Sequence, residues 1–479
     1  MPTLVRCLPM RDEMLHCREH LRTSVFVLEI LEMLRNLFAA ISMHTEEGGE
    51  KMSDATLTLL VLGVVALLFV TEAIPLPLTA GLGAISLGLL GVIPTKTVWS
   101  GLSNSTVVLF AGMFVIGAAM FRTGLANTIG AWVIKRVGTS EVGLMIGTMT
   151  IAASLSAIAS NTGMTAALMP VIGGICIVAK TSPSRQMMPL AFAAGLGGII
   201  TLVGTPPNLI ASGVMQTAGL KPFGFFEFAW IGIPLTIAGI LYMLLLGRHI
   251  LPKGEVGADI EIDAGAAAEA AATSHNPKKQ MVTAVILFTV ILIMALDIKA
   301  IPLEMAAVLG AIICIITGCL NEKEAYLGID WTTIFLFAGM LPVAAAMEKS
   351  GAGKLIADLV IGVLGDNPSP IFITAVLFIL SAGLTQFMSN TASTALLAPI
   401  GLAIAVGIGA APAAVLMAVA VAASCAFSTP VGTPPNTLVL GPGNYRFMDY
   451  VKVGTPLVGI CFVVSVIIIP LVWPFFPGK

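Results

Sequence analysis

Long apolar stretches separated by short polar segments dominate the chain. Eight stretches have the roughly 20 residues that a helix needs to cross a bilayer: 56–73, 75–93, 106–122, 227–250, 281–298, 302–319, 332–348 and 453–475. Two more, 187–217 and 411–440, are interrupted by Pro-Pro pairs, and a further two, 142–180 and 370–408, carry a polar Ser-Asn-Thr turn at the centre. The pattern predicts an all-α polytopic membrane protein with broken helices.

Composition supports this interpretation. Hydrophobic residues make up 57% of the 479 residues and charged residues 10%, which is too little charge for a soluble surface. The net charge of -2 offers no basic face, so nucleic acid is not an expected partner. The seven cysteines show no Cys-x-x-Cys spacing, and we expect neither a disulfide framework nor a zinc site.

Two segments differ from the rest. Residues 251–280 are rich in Ala and Gly with scattered acidic residues, which is typical of a soluble linker. The apolar part of the N-terminal extension, 24–42, carries three charges on one helical face. An interfacial helix, an extra spanning helix and a start-site artefact therefore remain alternatives. The predicted organisation is an extension (1–52), a first repeat (53–250), the linker (251–280) and a second repeat (281–479).

Five collinear motifs recur in the two halves. The pairs are 73–76 with 300–303, 109–113 with 336–340, 160–162 with 389–391, 204–208 with 432–436, and Gly232 with Gly454. Matches at a nearly constant offset indicate an internal duplication.

The number of crossings determines how the two halves are oriented. If each Ser-Asn-Thr stretch enters and leaves on one side, each half crosses five times, and the second half is inverted. This predicts 10–11 transmembrane helices plus one re-entrant hairpin per half. One side then collects more cationic residues than the other, namely Arg122, Lys135, Arg136, Lys180, Arg185, Arg248, Lys253, Lys278, Lys279, Arg446 and Lys452. The positive-inside rule makes that side, with the linker, cytoplasmic, and we expect the protein in the plasma (inner) membrane.

The Ser-Asn-Thr turns are the first candidate functional elements. A polar turn at the middle of an apolar stretch predicts a helical hairpin whose tip lies near mid-membrane. Irregular backbone is tolerated there only where it is buried or lines a cavity. Ser, Asn and Thr are good helix N-caps, so each tip offers side-chain oxygens, loop carbonyls and free N–H groups.

The Pro-Pro pairs provide the second element. Pro206 with Pro207, and Pro434 with Pro435, remove helical donors and free the carbonyls that precede them. Such carbonyls suit Na⁺, whereas the N–H groups of the following half-helix, with Asn and Thr, suit a carboxylate or sulfate. Because turn and break are similarly spaced in both halves, we expect a single site.

At these residues the sequence resembles the divalent anion:sodium symporter family, the INDY-type di- and tricarboxylate carriers, over roughly 53–475. The resemblance implies a homodimer that works as an elevator. Its scaffold would be the helices before each hairpin. Its transport part would be the hairpins, the broken helices and the helices that follow them.

The resemblance also implies site residues. The first sodium site would use Ser156, Ser160, Asn161 and Gly204, and the second Thr385, Asn390 and Gly432. Substrate would contact Asn161, Thr162, Ser389, Asn390 and Thr391, with Thr205 and Thr433 close by. Gly163 stands where the second half has Ala392, which leaves the shape of the site open.

The leading functional hypothesis is Na⁺-coupled symport of a C4-dicarboxylate such as succinate, malate or fumarate. Sodium-independent exchange of dicarboxylates and uptake of sulfate or another divalent anion are the alternatives. A membrane enzyme is a remote alternative, because acid–base or metal chemistry usually needs His or acidic residues within the membrane. The five histidines fall in the extension, at a helix end or in the linker, and we therefore expect no enzyme activity.

The predicted topology can be tested at the linker. A single cysteine within 251–280 should resist a membrane-impermeant thiol reagent in intact cells, since the linker is expected in the cytoplasm. It should react once the cells are permeabilised. Labelling from outside would contradict the topology.

Overall fold

The computed structural model describes residues 52–137, 140–179, 181–252, 276–296, 300–364 and 369–476. The predicted extension, apart from Met52, and most of the linker, 253–275, lie outside the described residues. The described residues form two sets of ten α-helices that correspond in order, together with a few short helical turns in the first half.

The helices of the first half are α1 Asp54–Thr71, α2 Leu76–Leu89, α3 Thr95–Val98, α4 Ser105–Arg122, α5 Leu125–Val137, α6 Glu141–Ser156, α7 Asn161–Ala179, α8 Met187–Gly198, α9 Pro206–Thr217 and α10 Ala229–Tyr242. A π-helical turn, Met243–Gly247, continues α10 into Arg248–Ile250. Short 3₁₀ turns lie at Ser100–Ser103 and Pro183–Arg185.

The helices of the second half are α11 Pro277–Ala295, α12 Leu303–Ile316, α13 Glu322–Gly328, α14 Trp331–Ser350, α15 Ala352–Leu364, α16 Pro370–Leu384, α17 Asn390–Gly407, α18 Pro412–Ala423, α19 Pro434–Leu440 and α20 Phe447–Val472.

Local signals explain where the hairpins start. Ser140 and Ser369 stand just before α6 and α16. Each hydroxyl accepts a hydrogen bond from the backbone N–H three residues on, at Gly143 (3.1 Å) and Phe372 (3.2 Å). Such caps satisfy donors that have no partner within the helix. The two hairpins therefore begin with the same local interaction in both halves.

The predicted hairpins and Pro-Pro breaks are present, and two boundaries need correction. The segment 123–142, which lies between two of the predicted apolar stretches and was expected to be a cytoplasmic loop, contains helix α5, and α15 is its counterpart. Both are thirteen residues long and amphipathic, so neither produced an apolar run long enough to suggest a span. Helix α11 starts at Pro277, inside the predicted linker, because the Asn276 side chain caps it at Lys278 N–H (3.1 Å).

Seven described helices are long and apolar enough to span a membrane: α1, α4, α10, α11, α14, α17 and α20. Helix α17 belongs to the second hairpin, which leaves six. The ten predicted crossings are reached by adding α2 and α12, of 14 residues each, and the two interrupted pairs, α8–α9 and α18–α19. The prediction of an all-α polytopic membrane protein is confirmed.

Reciprocal packing joins the two halves. Helix α2 packs on α14, and α12 packs on α4 in the same way. A Cβ at Gly112 would lie 2.8 Å from the Ala307 backbone, and a Cβ at Gly339 would lie 2.9 Å from the Ala80 backbone. Small residues permit this close approach of helices in membranes. The matching contacts are those expected of a pseudo-two-fold relation between repeats.

The hairpins and broken helices interlock across the halves. Helices α7 and α8 contact α19, while α9 contacts α17 and α18. Tyr445, which precedes α20, accepts from Met188 N–H (2.8 Å) and donates to the Ser184 carbonyl (2.7 Å). The two breaks and the two hairpins thus form one packed unit.

The glycine contacts predict a selective effect on stability. Gly112→Ala should lower the melting temperature of the purified protein by several degrees, since overpacking costs about 1–3 kcal/mol. Gly63→Ala in α1 is the matched control, because a Cβ there would meet no atom within 4 Å. Alanine also favours the helix over glycine. Equal melting temperatures for the two variants would contradict the close packing.

Candidate functional site

Both hairpin tips and both breaks line one central cavity of about 220 Å³. The sequence-predicted residues on its wall are Ser160, Asn161, Thr162, Gly204, Thr205, Pro206, Ser389, Asn390, Thr391, Thr433 and Pro434. The structure therefore brings together four motifs that lie far apart along the chain.

The serine of each tip caps the second helix of its hairpin. Ser160 Oγ accepts from Gly163 N–H (3.4 Å), and Ser389 Oγ accepts from Ala392 N–H (3.2 Å). The first two N–H groups of each helix, at 161–162 and at 390–391, have no acceptor within their own helix, as at any helix start. Partial positive charge therefore faces outward from the start of each helix.

A cluster of oxygen atoms lies behind the first tip. Ser156, at the end of α6, contacts the Asn161 side chain. The carbonyl oxygens of Gly204 and Ala194 lie 3.1 Å and 3.2 Å from the same amide group. With the amide nitrogen turned toward them, Asn161 donates to both carbonyls.

The second tip has the same arrangement. Thr385 Oγ1 lies 2.8 Å from the Asn390 amide, whose other neighbours are the carbonyls of Gly432 (3.1 Å) and Ala423 (3.2 Å). Thr385 also donates to the Ala423 carbonyl (2.7 Å). Each cluster combines a hydroxyl, an amide and two carbonyls, one of them from the break.

The asparagine that ends each Pro-Pro motif has a different position. Asn208 and Asn436 are fully buried. Their side-chain nitrogens donate to the backbone before the break, at Thr201 (2.8 Å) and Thr429 (2.9 Å). These bonds satisfy carbonyls that the interrupted helix leaves free. The two residues hold the breaks in shape and are not on the cavity wall.

Five predicted residues lie behind the wall rather than on it. Ser156 and Thr385 are fully buried beneath the tips. The other three, Gly432, Pro207 and Pro435, are buried around the breaks. Pro207 and Pro435 occupy the second position of α9 and α19, where a missing N–H costs nothing.

The start of α14 adds residues that sequence reasoning missed. Asp330, Thr332 and Thr333 line the cavity, together with the apolar side chains of Leu76, Phe110, Met113, Phe114, Leu336 and others. Asp330 is the one ionisable group among the described lining residues. It caps α14, because its carboxylate accepts from the hydroxyl (2.6 Å) and N–H (3.2 Å) of Thr333.

The repeat contains a signal for Asp330. Asn104 is the N-cap of the corresponding helix, and its side chain accepts from Thr106 N–H (2.9 Å) at the start of α4. Aligning the halves through 109–113 and 336–340 would have placed Asp330 beside the first-half cap. The comparison also shows that this position is charged in the second half only.

Known proteins resemble this chain in sequence and in architecture. A profile of the citrate transporter family, CitMHS, matches residues 66–420. The uncharacterized transporter YfbS of Escherichia coli is 26% identical over 86% of this chain and 98% of its own. The sodium-dependent dicarboxylate transporter SdcS of Staphylococcus saprophyticus is 25% identical over 86% of this chain and 84% of its own. The crystal structure of the Alcanivorax borkumensis YdaH transporter, 15% identical, superposes with a TM-score of 0.60 over 87% of this chain and 97% of that one.

These matches confirm the predicted resemblance to carboxylate transporters and the predicted absence of an enzyme function. The family match covers most of the chain and includes both hairpins and the first break. The protein is a multi-pass membrane secondary transporter, and the chain belongs to the citrate transporter family.

Proposed function

We propose that the protein couples the inward movement of Na⁺ to the uptake of a C4-dicarboxylate such as succinate, malate or fumarate. The observation that carries the proposal is the pair of equivalent oxygen clusters on either side of one small cavity. Each cluster would hold a sodium ion, and the anion would lie between the tips.

The clusters suit a hard cation. If the Asn161 amide turns its oxygen toward Gly204 and Ala194, four oxygens converge on a point without an N–H between them. Hard cations take such oxygen ligands, and unwound backbone carbonyls bind sodium in other transporters with inverted repeats. If the nitrogen faces the carbonyls instead, hydrogen bonds fill the cluster. Binding and release of the ion would therefore accompany a turn of the amide.

The cavity suits a small dianion. Its volume of about 220 Å³ lies below the usual range for drug-sized ligands. The described lining contains no Arg or Lys, so the anion would depend on N–H groups, hydroxyls and nearby sodium ions. Two equivalent tips offer one donor set each, which matches a molecule with a carboxylate at each end.

The packing supports an elevator. The interlocked unit of hairpins and broken helices would move as the transport part, and the pairs α2–α14 and α4–α12 would form the scaffold. A homodimer would hold the scaffold still within the membrane. The positive-inside rule would put the linker on the cytoplasmic side.

The relatives support the same class of substrate. SdcS is a sodium-dependent dicarboxylate transporter, and the matching family is that of citrate transporters. Sodium-independent dicarboxylate exchange and transport of sulfate or citrate are the alternatives that an uptake assay must separate.

Uptake into proteoliposomes tests the proposal. Labelled succinate should accumulate with external Na⁺ and not with choline, and unlabelled succinate should compete better than sulfate or citrate. Asn161→Ala and Asn390→Ala should both abolish uptake, because each removes a ligand of the anion and of a sodium ion. Uptake that is equal in choline would contradict symport.

The sodium clusters have their own test. Ser156→Ala and Thr385→Ala should each raise the sodium concentration for half-maximal uptake about tenfold, equivalent to about 1.4 kcal/mol. Ser154→Ala is the control, since Ser154 is exposed on the same helix. An unchanged sodium requirement in both variants would separate these hydroxyls from ion binding.

Asp330 should limit the affinity for the dianion. Its carboxylate repels a negative ligand in the same cavity by on the order of 1 kcal/mol. Asp330→Asn should therefore lower the half-saturating succinate concentration several-fold at saturating Na⁺. Asparagine retains the helix cap, as Asn104 does in the first half.

Asp330→Glu is the charge-preserving control and should remain close to the wild type. A half-saturating concentration that rises in Asp330→Asn would show that the carboxylate assists binding instead.

A further inference from the structure

Two more cavities extend the central one toward one end of the molecule. A lateral cavity of about 530 Å³ shares Met113, Phe114, Ser160 and Asp330 with the central cavity. A mouth cavity of about 290 Å³ shares Arg122, Leu320 and Glu324 with the lateral one. The shared lining residues place the three cavities in a row from the hairpin tip to the ends of α4 and α12, and we call this row the passage.

The passage runs along the first hairpin. Gly163 and Ala166 of α7 line the lateral cavity, and Ala166 is exposed. Their counterparts in α17, Ala392 and Ala395, are buried. The row of cavities thus reaches the end of the molecule where Arg122 lies.

Two cationic side chains meet at the outer end. Arg122, the last residue of α4, and Lys279, in the first turn of α11, both line the mouth cavity. The start of α11 is held there by Gln280, whose side chain donates to the Thr123 carbonyl (3.0 Å). Both cations also lie on the side that the positive-inside rule makes cytoplasmic.

Glu324 holds Arg122 in place without using all of its donors. Arg122 Nε lies 2.7 Å from Glu324 Oε1, and the Arg122 side chain remains 50% exposed. An arginine has four further N–H donors on its terminal nitrogens, and these suit a carboxylate. Among the described residues, this is the single ion pair that joins a residue of the first half to a residue of the second half.

Glu324 is itself fixed by the backbone. It completes a capping box with Asn321, in which its carboxylate accepts from Asn321 N–H (2.9 Å). That hydrogen bond, followed by the interactions with Arg122 and Lys279, lowers the pKa of Glu324 against the opposing effect of desolvation. The mouth therefore carries two positive charges and one negative charge at neutral pH.

We propose that Arg122 and Lys279 form a docking site for a carboxylate of the transported anion, between the central cavity and the predicted cytoplasmic side. The inference rests on the proposed transport of organic anions. Positive charge at the mouth of a cleft raises the local concentration of anions and their rate of entry. An anion supplied from the cytoplasmic side would bind there first and then pass Asp330 to reach the tips. An anion that moves inward would bind there last, just before its release.

Thiol modification measures this attraction without transport. Ala166→Cys, in a background without the seven native cysteines, places a thiol in the lateral cavity. Its reaction rates with a sulfonate-bearing and a trimethylammonium-bearing methanethiosulfonate are compared. Arg122→Gln should lower the anionic-to-cationic rate ratio about tenfold, and Arg122→Lys should preserve it.

Lys349→Gln is the matched control. Lys349 is the repeat counterpart of Arg122, is exposed, and lines none of the three cavities. It should leave the rate ratio unchanged. A ratio that is the same in Arg122→Gln and Lys349→Gln would overturn the docking site.

Transport provides the second measurement. With substrate supplied from the side where the mouth opens, Arg122→Gln should raise the half-saturating succinate concentration about fivefold or more. With substrate on the other side it should have no effect. A wild-type protein that moves no dicarboxylate would refute the proposed function, whereas the rate ratio would still decide on the docking site. Normal transport with no one-sided effect would refute the docking role.

Discussion

Backbone groups that a helix leaves unpaired must find partners where no water is available, and this constraint organises the whole molecule. A polar group buried without a partner costs several kcal/mol in hydrocarbon. The chain interrupts its helices at four places, two tips and two breaks. It collects all four around one cavity, where carbonyls and N–H groups are satisfied by each other, by Asn208 and Asn436, or by a ligand. The site is the place where the unpaired groups converge.

Duplication makes this convergence possible. A single hairpin would present its tip to lipid or to an unrelated helix. Two related halves supply partners of matching shape, as the reciprocal contacts of Gly112 and Gly339 show. Because both halves contribute the same elements, each hairpin tip and each break exists twice. The proposed occupants, a dianion with two carboxylates and two sodium ions, would match such a doubled site.

Much of this arrangement could be predicted from the sequence. Proline pairs and Ser-Asn-Thr turns interrupt apolar runs at visible positions, and repetition marks them as related. The amphipathic helices α5 and α15 were missed because a short helix with charges on one face has no long apolar run. The carbonyls of Ala194 and Ala423 could not be found in this way, since any residue has a carbonyl and only the three-dimensional packing selects one. Asp330 was missed for a different reason: an acidic residue at a helix start has a sufficient explanation as a cap.

The distribution of charge suggests how the two proposed substrates, the dianion and Na⁺, would depend on each other. The described wall of the central cavity combines neutral donors with a single carboxylate, Asp330. A dianion entering such a site loses water and meets repulsion, whereas a sodium ion beside Asn161 or Asn390 reverses the local field. Coupling would then need no long-range signal, because the anion is stable in the cavity only while the cations are present. The cations at the mouth would act at a separate step, since they would increase how often an anion arrives from that side without changing how strongly the tips hold it.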